Sequence, residues 1–224
     1  MTDTKDTPRA VAGKIVQGTR ITRRALVAGA GAALAGCSVN VPGPSLRAAY
    51  GARTDEGFAL PSIPTGKLDP KFRRQRVDYR TKYKPGTIVV STKERMLWLV
   101  EEGGTAMRYG IGVGKQGFTW GGTARVGLKR KWPTWTPPSR MIGRRPELAK
   151  WRGGMPGGPQ NPLGARAMYL YRGGRDTLYR IHGSPEWWSI GTRASSGCIR
   201  LINQDVIDLY DRVKVGARVV VKQG

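Results

Sequence analysis

Residues 179–206 read YRIHGSPEWWSIGTRASSGCIRLINQDV, and they contain His182, the only histidine of the chain, and Cys198, one of its two cysteines. Thiols attack acyl groups as thiolates, and a neighbouring imidazole can take up the proton and form a reactive ion pair. The glycine before Cys198 lets the backbone approach closely, so the amides of Ser196, Gly197 and Cys198 can form an oxyanion hole. This stretch predicts a cysteine–histidine acyl-transfer site; the alternative is that both side chains are ordinary core residues.

The loop between the two candidate residues bears on their orientation and access. His182 ends an apolar strand, and its second ring nitrogen needs an acceptor that fixes the tautomer. The nearest such acceptor in the sequence is the carbonyl of Gly183. Trp187 and Trp188 lie in the loop that leads to Cys198, where they either line or cover the cleft or pack in the core.

Short runs rich in Val, Ile, Leu, Tyr and Trp begin at Pro85, and Gly pairs separate them. This texture predicts a largely antiparallel sheet with two hairpins, which turn near residues 102–104 and 172–175. The candidate strands are Thr87 to Ser91, Met96 to Val100, Ala106 to Val113, Ala165 to Tyr171, Thr177 to His182 and Ala217 to Lys222.

One helix is expected to begin near Asn203, whose side-chain oxygen can cap it. Asp205 lies in the first turn, where the helix dipole favours a negative charge. Val206 and Leu209 keep helical spacing. The sequence thus predicts a mainly β domain with one or two helices.

Residues 1–36 have the layout of an export signal. A basic region precedes the twelve small and apolar residues 25–36, which are too few to span a bilayer. Residues 22–27, TRRALV, resemble a twin-arginine signal, and the run ends in LAGC at Cys37, which resembles a lipobox whose cysteine is acylated. We expect an exported protein with a lipid anchor on the periplasmic side of the envelope; the alternatives are an ordinary secretory signal and a short buried helix.

Residues 37–84 contain scattered prolines and clustered basic residues. Little apolar periodicity is present, which favours a linker with some ordered turns near its end. An N-terminal segment that packs on the domain is the open alternative. Residues 85–224 are then the compact domain.

The charge of the chain indicates a polyanionic partner. Lys and Arg total 39 against 15 Asp and Glu, a formal net charge of +24. Such charge usually suggests nucleic acid, but an exported protein meets anionic lipids, lipopolysaccharide and peptidoglycan instead. We therefore expect a membrane contact through the lipid and no nucleic-acid partner; a solvated basic face is the plain alternative.

Neither a metal nor a cofactor is expected. One histidine and two cysteines cannot supply a four-ligand zinc site or a disulfide framework. Residues 112–117, GVGKQG, match the glycine pattern of a dinucleotide loop, but no helix is predicted after them. Pro137 stands where an acidic residue would be needed.

Residues 85 to about 221 resemble the bacterial L,D-transpeptidase catalytic domain. The resemblance rests on residues 179–184 and 195–201, on 202–206 at the start of the helix, and on the segments WPTWTPP and GGPQNPLGAR, residues 132–138 and 157–166. It implies a mixed β-sandwich or barrel-like domain that remodels peptidoglycan. Residues 132–141 then either line the substrate cleft or pack in the core.

The resemblance also implies roles for individual residues. Cys198 is the nucleophile, His182 is its base, and the carbonyl of Gly183 orients His182. Many family members have histidine in the position of Ser196. The residues expected at the oxyanion or the substrate are Ser195, Ser196, Gly197, Arg200, Trp187 and Trp188.

The implied reaction has two steps. Cys198 attacks the carbonyl of the third residue of a tetrapeptide stem, which releases the terminal D-alanine and leaves a thioester. The acceptor is the side-chain amine of another stem, which forms a 3-3 crosslink, or a lysine of an envelope protein. A thiol hydrolase of the same fold, in which water is the acceptor, and a noncatalytic peptidoglycan-binding lipoprotein remain alternatives.

Overall fold

The fold is seen in a computed structural model, which describes residues 45–114, 121–195 and 197–223. The predicted signal in residues 1–36, the lipidated Cys37 and the oxyanion residue Ser196 lie outside the described residues. The helices are α1 (Leu46–Tyr50), α2 (Ser139–Arg144) and α3 (Asn203–Arg212). The strands are β1 (Arg53–Asp55), β2 (Phe58–Leu60), β3 (Gln75–Asp78), β4 (Ile88–Ser91), β5 (Met96–Val100), β6 (Thr105–Gly110), β7 (Val113–Gly114), β8 (Gly122–Lys131), β9 (Arg166–Arg172), β10 (Arg175–Ser184), β11 (Arg193–Ser195), β12 (Ile199–Ile202) and β13 (Arg218–Lys222).

A nine-stranded mixed sheet organises the domain, in the order β12-β10-β9-β8-β13-β4-β5-β6-β3. Most neighbours are antiparallel, and both predicted hairpins are present as β5–β6 and β9–β10. Two pairs, β10–β12 and β13–β4, are parallel. The prediction of a mainly β fold with few helices is confirmed. None of the helices in the described part of the chain is long and apolar enough to cross a membrane.

The main core lies between the sheet and α3. Ile88 and Val90 on β4 both belong to this core, because alternate side chains of a strand point to the same face; Val89 between them is buried too but is not part of the cluster. Val206 and Leu209 of α3 belong to the same cluster, as their helical spacing predicts. This packing fixes α3 beside β10 and β12, the two strands that hold the candidate site.

The longest strand missed in the sequence is β8, which lies between β9 and β13. Its buried residues, Ala124 and Val126, alternate with exposed ones such as Arg125. A register shift between Val126 and Leu128 then interrupts the alternation. Alternation over the first half was the available signal, and the many basic residues obscured it.

The capping role predicted for Asn203 is wrong. Residue Ile202 flanks the helix without a side-chain cap, and Asn203 is the first helical residue. The Asn203 Oδ1 accepts a hydrogen bond from the Ala165 N–H at 2.9 Å. The side chain is buried, where an unpaired amide is costly, so it serves the backbone before β9 instead of its own helix.

The prediction of a linker over residues 37–84 is wrong from residue 45 onward. There the alternative is correct, in which an N-terminal segment packs on the domain. β3 adds an edge strand to the main sheet beside β6. Tyr50, Leu68 and Phe72 are buried with Ile202 in a second hydrophobic cluster. These apolar residues are scattered along a mostly irregular segment, so they form no periodic pattern that sequence analysis can detect.

Hydrogen bonds and an ion pair attach this N-terminal segment to α3. The Tyr50 hydroxyl donates to Asp205 Oδ2 at 3.2 Å and accepts from the Arg74 N–H at 2.6 Å. Arg74 Nη1 lies 3.2 Å from Asp208 Oδ1. Burial raises the pKa of Asp205 to about 7, although the positive charge of Arg74 opposes the shift. The first-turn carboxyl is therefore part of a buried network and is not a solvated partner of the helix dipole.

Candidate active site

The structure brings the two predicted catalytic side chains to one place. Parallel pairing of β10 with β12 sets His182 opposite Arg200, and Cys198 comes directly before β12. Both His182 and Cys198 line a cavity of about 610 Å³. Neighbouring parallel strands thus bring together two residues that are sixteen positions apart in the sequence.

The orientation of the imidazole is set by the residue that follows it. His182 Nδ1 lies 2.6 Å from the Gly183 carbonyl oxygen. Because a carbonyl only accepts, Nδ1 carries the proton and Nε2 is left as an acceptor. A side chain on Gly183 would collide with Asn203 Oδ1, so only glycine fits at this position. The contact predicted between His182 and Gly183 is present.

Burial favours the neutral form of both groups, which differs from the ion pair expected from the sequence. Burial lowers the pKa of His182 to about 4, and the charges of Arg200 and Arg180 add to this effect. Burial also raises the pKa of the Cys198 thiol; a hydrogen bond from the Arg180 backbone and two arginine charges oppose it without reversing it. The imidazole is therefore ready to accept a proton when the thiol attacks.

This protonation state gives a testable pH dependence. Alkylation of Cys198 by iodoacetamide is expected to accelerate up to pH 9 and beyond, because the reactive thiolate forms only above the raised pKa of the thiol. The acid limb of acyl transfer is expected near pH 4, where His182 becomes protonated and loses its acceptor nitrogen. Intact-mass measurement of the alkylation rate from pH 5 to 10 checks the first expectation. A rate that is already constant below pH 7 would instead establish the ion pair.

Arg200 lies at the edge of the cavity and has an acidic partner. Its Nη1 lies 2.7 Å from Glu186 Oε2, and about half of the Glu186 side chain is exposed. The buried Nε of Arg200 has no hydrogen-bond partner among the described residues. A carboxylate entering the cavity can therefore compete with Glu186 for a guanidinium that still has an unused donor.

Of the alternatives for Trp187 and Trp188, the structure shows core packing for Trp187 and an exposed position for Trp188. Trp187 packs against the second hydrophobic cluster together with Ile63 and Trp98. Trp188 is 62% exposed, and its ring lies edge to face with that of Trp187, with the ring centroids 5.9 Å apart. Neither ring lines the cavity, because the short helical turn that contains them directs one inward to the core and the other to solvent.

The far wall of the cavity was only partly predicted. Trp135 and Met141 line it, as one alternative for residues 132–141 proposed, but Trp132 is buried and donates its Nε1–H to Asp55 Oδ2 at 2.8 Å. The segment therefore divides between the core and the cavity. The wall continues through Arg140 of α2, which belongs to the same predicted segment. It also includes side chains of the turn after α2, which no motif had indicated: Arg145, Leu148 and Trp151.

The backbone before Cys198 has the geometry that glycine permits. Gly197 has a φ of 130°, in the region that L side chains rarely adopt. Ser195 ends β11, which pairs with β7 at Gly114. With Ser196 outside the described residues, the oxyanion hole formed by these amides stays a prediction.

Gly112, the first glycine of the stretch that resembles a dinucleotide loop, has a packing role in this fold. Gly112 exchanges two backbone hydrogen bonds of 2.9 Å with Arg200. A side chain on Gly112 would lie 2.7 Å from the Ser189 carbonyl oxygen. Among the described residues, no group of three or more His, Cys, Asp or Glu side chains is placed to hold a metal ion.

The match to known proteins agrees with this geometry. A model of the YkuD family, described as the L,D-transpeptidase catalytic domain, matches residues 85–221, more than half of the chain. The chain belongs to this family. The matched residues include His182 and Cys198, so this YkuD domain contains both members of the candidate pair.

Individual relatives cover the same part of the chain. Probable L,D-transpeptidase YbiS of Escherichia coli K12 is 37% identical over 138 residues, which are 59% of this chain and 43% of that protein. Probable L,D-transpeptidase ErfK/SrfK of the same strain is 38% identical over 143 residues, 60% of this chain and 43% of that protein. The chain thus spans less than half the length of these curated relatives.

One solved structure has a different description. A Brucella melitensis protein, described as a probable carnitine operon oxidoreductase, is 54% identical and is matched over 71% of this chain and 99% of that chain, with a TM-score of 0.49. The oxidoreductase description belongs to that protein. It differs from the L,D-transpeptidase activity given in the description of the YkuD family.

Proposed function

We propose that this protein is a peptidoglycan L,D-transpeptidase that works through a thioester on Cys198. The strongest support is that Cys198 and His182 line one cavity and that the Gly183 carbonyl orients the imidazole. A volume of about 610 Å³ also lies within the range of sites that enclose small ligands. A thiol, an oriented acceptor nitrogen and a cavity are the elements that acyl transfer requires.

In the first step, the Cys198 sulfur attacks the carbonyl carbon of the third residue of a tetrapeptide stem. The thiol proton moves to His182 Nε2, and backbone amides near Gly197 stabilise the oxyanion. When the peptide bond breaks, the nitrogen of the terminal D-alanine takes the proton from His182. The enzyme is left with a thioester and a neutral imidazole.

In the second step, an amine attacks the thioester carbonyl and gives a proton to His182. Collapse of the intermediate breaks the carbon–sulfur bond, and the thiolate takes that proton back. The side-chain amine of another stem gives a 3-3 crosslink, a lysine attaches an envelope protein, and water gives a shortened stem. Arg200, which pairs with Glu186 in this structure, binds a carboxylate of the stem in exchange for this partner; the ion pair supports this role.

Product analysis tests this function and identifies the acceptor. The purified protein is incubated with tetrapeptide muropeptides, and both the protein and the products are weighed by mass spectrometry. We expect an acyl adduct on the protein, release of D-alanine and crosslinked dimers. Tripeptides in place of dimers would identify a hydrolase, and the absence of any adduct or product with stem and protein amines would contradict the proposal.

The location proposed for this activity is the periplasmic side of the envelope, with a lipid on Cys37. The lipobox-like LAGC sequence and the basic, apolar order of residues 1–36 support it. We expect labelled palmitate to be incorporated in cells producing the protein, and Cys37→Ser to abolish the label. Equal labelling of the variant would exclude Cys37 as the anchor.

A further inference from the structure

A bulge interrupts β10 just before the catalytic histidine. Asp176 pairs with Tyr171 of β9 and Arg180 pairs with Tyr169, so four steps along β10 are matched by two along β9. At the crest, Leu178 has a φ of 64°. A left-handed backbone is strained at a leucine, so other contacts must hold it.

The carboxylate of Asp176 supplies most of these contacts. Its Oδ1 accepts from the Leu178 N–H at 2.8 Å and from Arg180 Nη1 at 2.7 Å. Its Oδ2 accepts from Arg180 Nη2 at 2.8 Å, which makes the ion pair bidentate. The Arg180 guanidinium also lies over the Tyr169 ring, 4.2 Å from its centroid. One carboxylate thus joins the crest of the bulge to its end.

Core packing does not explain the bulge. Leu178 is 77% exposed, although a leucine in a strand usually contributes by being buried. Instead, Leu178 and Tyr179 line the cavity that contains Cys198. Strained backbone that gains no burial is characteristic of functional sites.

The end of the bulge reaches the nucleophile. The backbone of Arg180 hydrogen-bonds the Cys198 thiol, so the position of this amide depends on how the bulge closes. The charged groups that act on the thiol are Arg180 and Asp176 from the bulge and Arg200 from β12. The side chain of Arg180 points to Asp176 while its main chain faces the sulfur.

We propose that Asp176 and Arg180 are positioning residues, whose ion pair closes the β10 bulge and thereby holds the Arg180 amide against the Cys198 sulfur. The proposal rests on the proposed role of Cys198 as the nucleophile. Neither side chain is assigned contact with the substrate. Their effect is on the reactivity of the thiol.

Asp176 is the informative position, because charge and geometry predict opposite results there. The negative charge of Asp176 raises the pKa of the thiol, so a role through charge alone predicts that removing it lowers that pKa. A positioning role predicts the reverse, since the Arg180 amide moves away and its stabilisation of the thiolate is lost. Asp176→Ala removes both carboxylate oxygens, whereas Asp176→Asn keeps one acceptor.

The experiment measures the rate of iodoacetamide alkylation of Cys198 against pH in the full chain, assigned by peptide mapping. We expect Asp176→Ala to raise the apparent pKa of the thiol by about half a unit, which is about a threefold slower reaction at pH 7. Asp176→Asn should show a smaller rise. A fall or no change in both variants would overturn the proposal.

Arg212→Gln is the matched control. Arg212 and Asp208 also form an Arg–Asp pair four residues apart, with distances of 3.0 and 3.1 Å, on α3. The Arg212→Gln variant should leave the alkylation profile unchanged. If it shifted the apparent pKa of the thiol as much as Asp176→Ala does, the effect would be due to general loosening of the fold. Alkylation needs no peptidoglycan, so the two proposals can fail independently. An unshifted alkylation profile overturns the positioning role even if stem transpeptidation is observed, and a shifted profile supports that role even if no transpeptidation is found.

Discussion

Replacing Cys198 with alanine is expected to abolish the acyl adduct and to lower the rate of dimer or tripeptide formation by at least about 10⁴-fold. Alanine has no nucleophilic atom, and His182 then has no thiol proton to accept. Cys198 lines the cavity and belongs to none of the hydrophobic clusters, so the loss of one sulfur atom should leave the fold intact. The measurement is mass spectrometry of the protein and of its muropeptide products, with the wild-type chain alongside.

A noncatalytic binding role predicts that the Cys198→Ala variant keeps its biological effect. Cell-wall binding should survive the Cys198→Ala substitution under either hypothesis, because the basic surface and the cavity walls are unchanged. Retained product formation, or retained biological effect without any product, would exclude thiol chemistry at Cys198. Loss of products with normal binding and a normal melting temperature would assign the activity to the sulfur.

Replacing Asp55 with asparagine is expected to lower the free energy of unfolding by about 2 to 3 kcal/mol. Asp55 accepts two hydrogen bonds from Arg166, at 2.7 and 2.8 Å, and a third from Trp132. Arg166 is 3% exposed, so the substitution leaves a buried positive charge without its counterion. Burial alone would raise the pKa of Asp55, but the bonds from Arg166 and Trp132 hold it below its ordinary value. The partial exposure of Asp55 keeps the expected loss moderate.

The adjacent residue offers a matched control for this stability measurement. Glu56 pairs with Lys131 at the surface, and about half of each side chain is exposed. Glu56→Gln removes the same charge one position away and is expected to leave stability within experimental error, because exposed ion pairs are weak. Urea unfolding at pH 7 compares the two variants. Equal losses would show that the Asp55–Arg166 pair does not couple the N-terminal segment to β9.

Local sequence features predicted the parts of the fold that depend on neighbouring residues. All six candidate strands coincide with observed ones, with ends shifted by up to three residues. They are rich in apolar residues, and glycine pairs mark the turns of the two hairpins. The strand β8 was missed because its bulge at Val126 to Leu128 breaks the alternation. The packed segment 45–84 was missed because single buried residues such as Tyr50 and Phe72 find distant partners.

In the candidate site, too, the sequence predicted local features and missed those that depend on distant contacts. The sequence indicated His182 and Cys198 because histidine and cysteine are rare in this chain, and it indicated Gly183 because this residue directly follows the histidine. It left the positions of Trp187 and Trp188 open, since residue type alone does not show whether an aromatic ring faces a core or a cleft. The Asp176–Arg180 pair was missed because an ion pair within a bulge looks like ordinary surface charge in the sequence.

The sequence by itself determined that this is a mainly β chain whose single histidine lies sixteen residues before Cys198, and it predicted acyl transfer at this pair. Those properties follow from residue types and short-range patterns, which do not need the folded chain. Only the tertiary structure decided the protonation of the pair, since burial of His182 and Cys198 arises from elements distant in sequence. It also decided the walls of the cavity and the docking of residues 45–84, because packing depends on which surfaces meet once the sheet has formed.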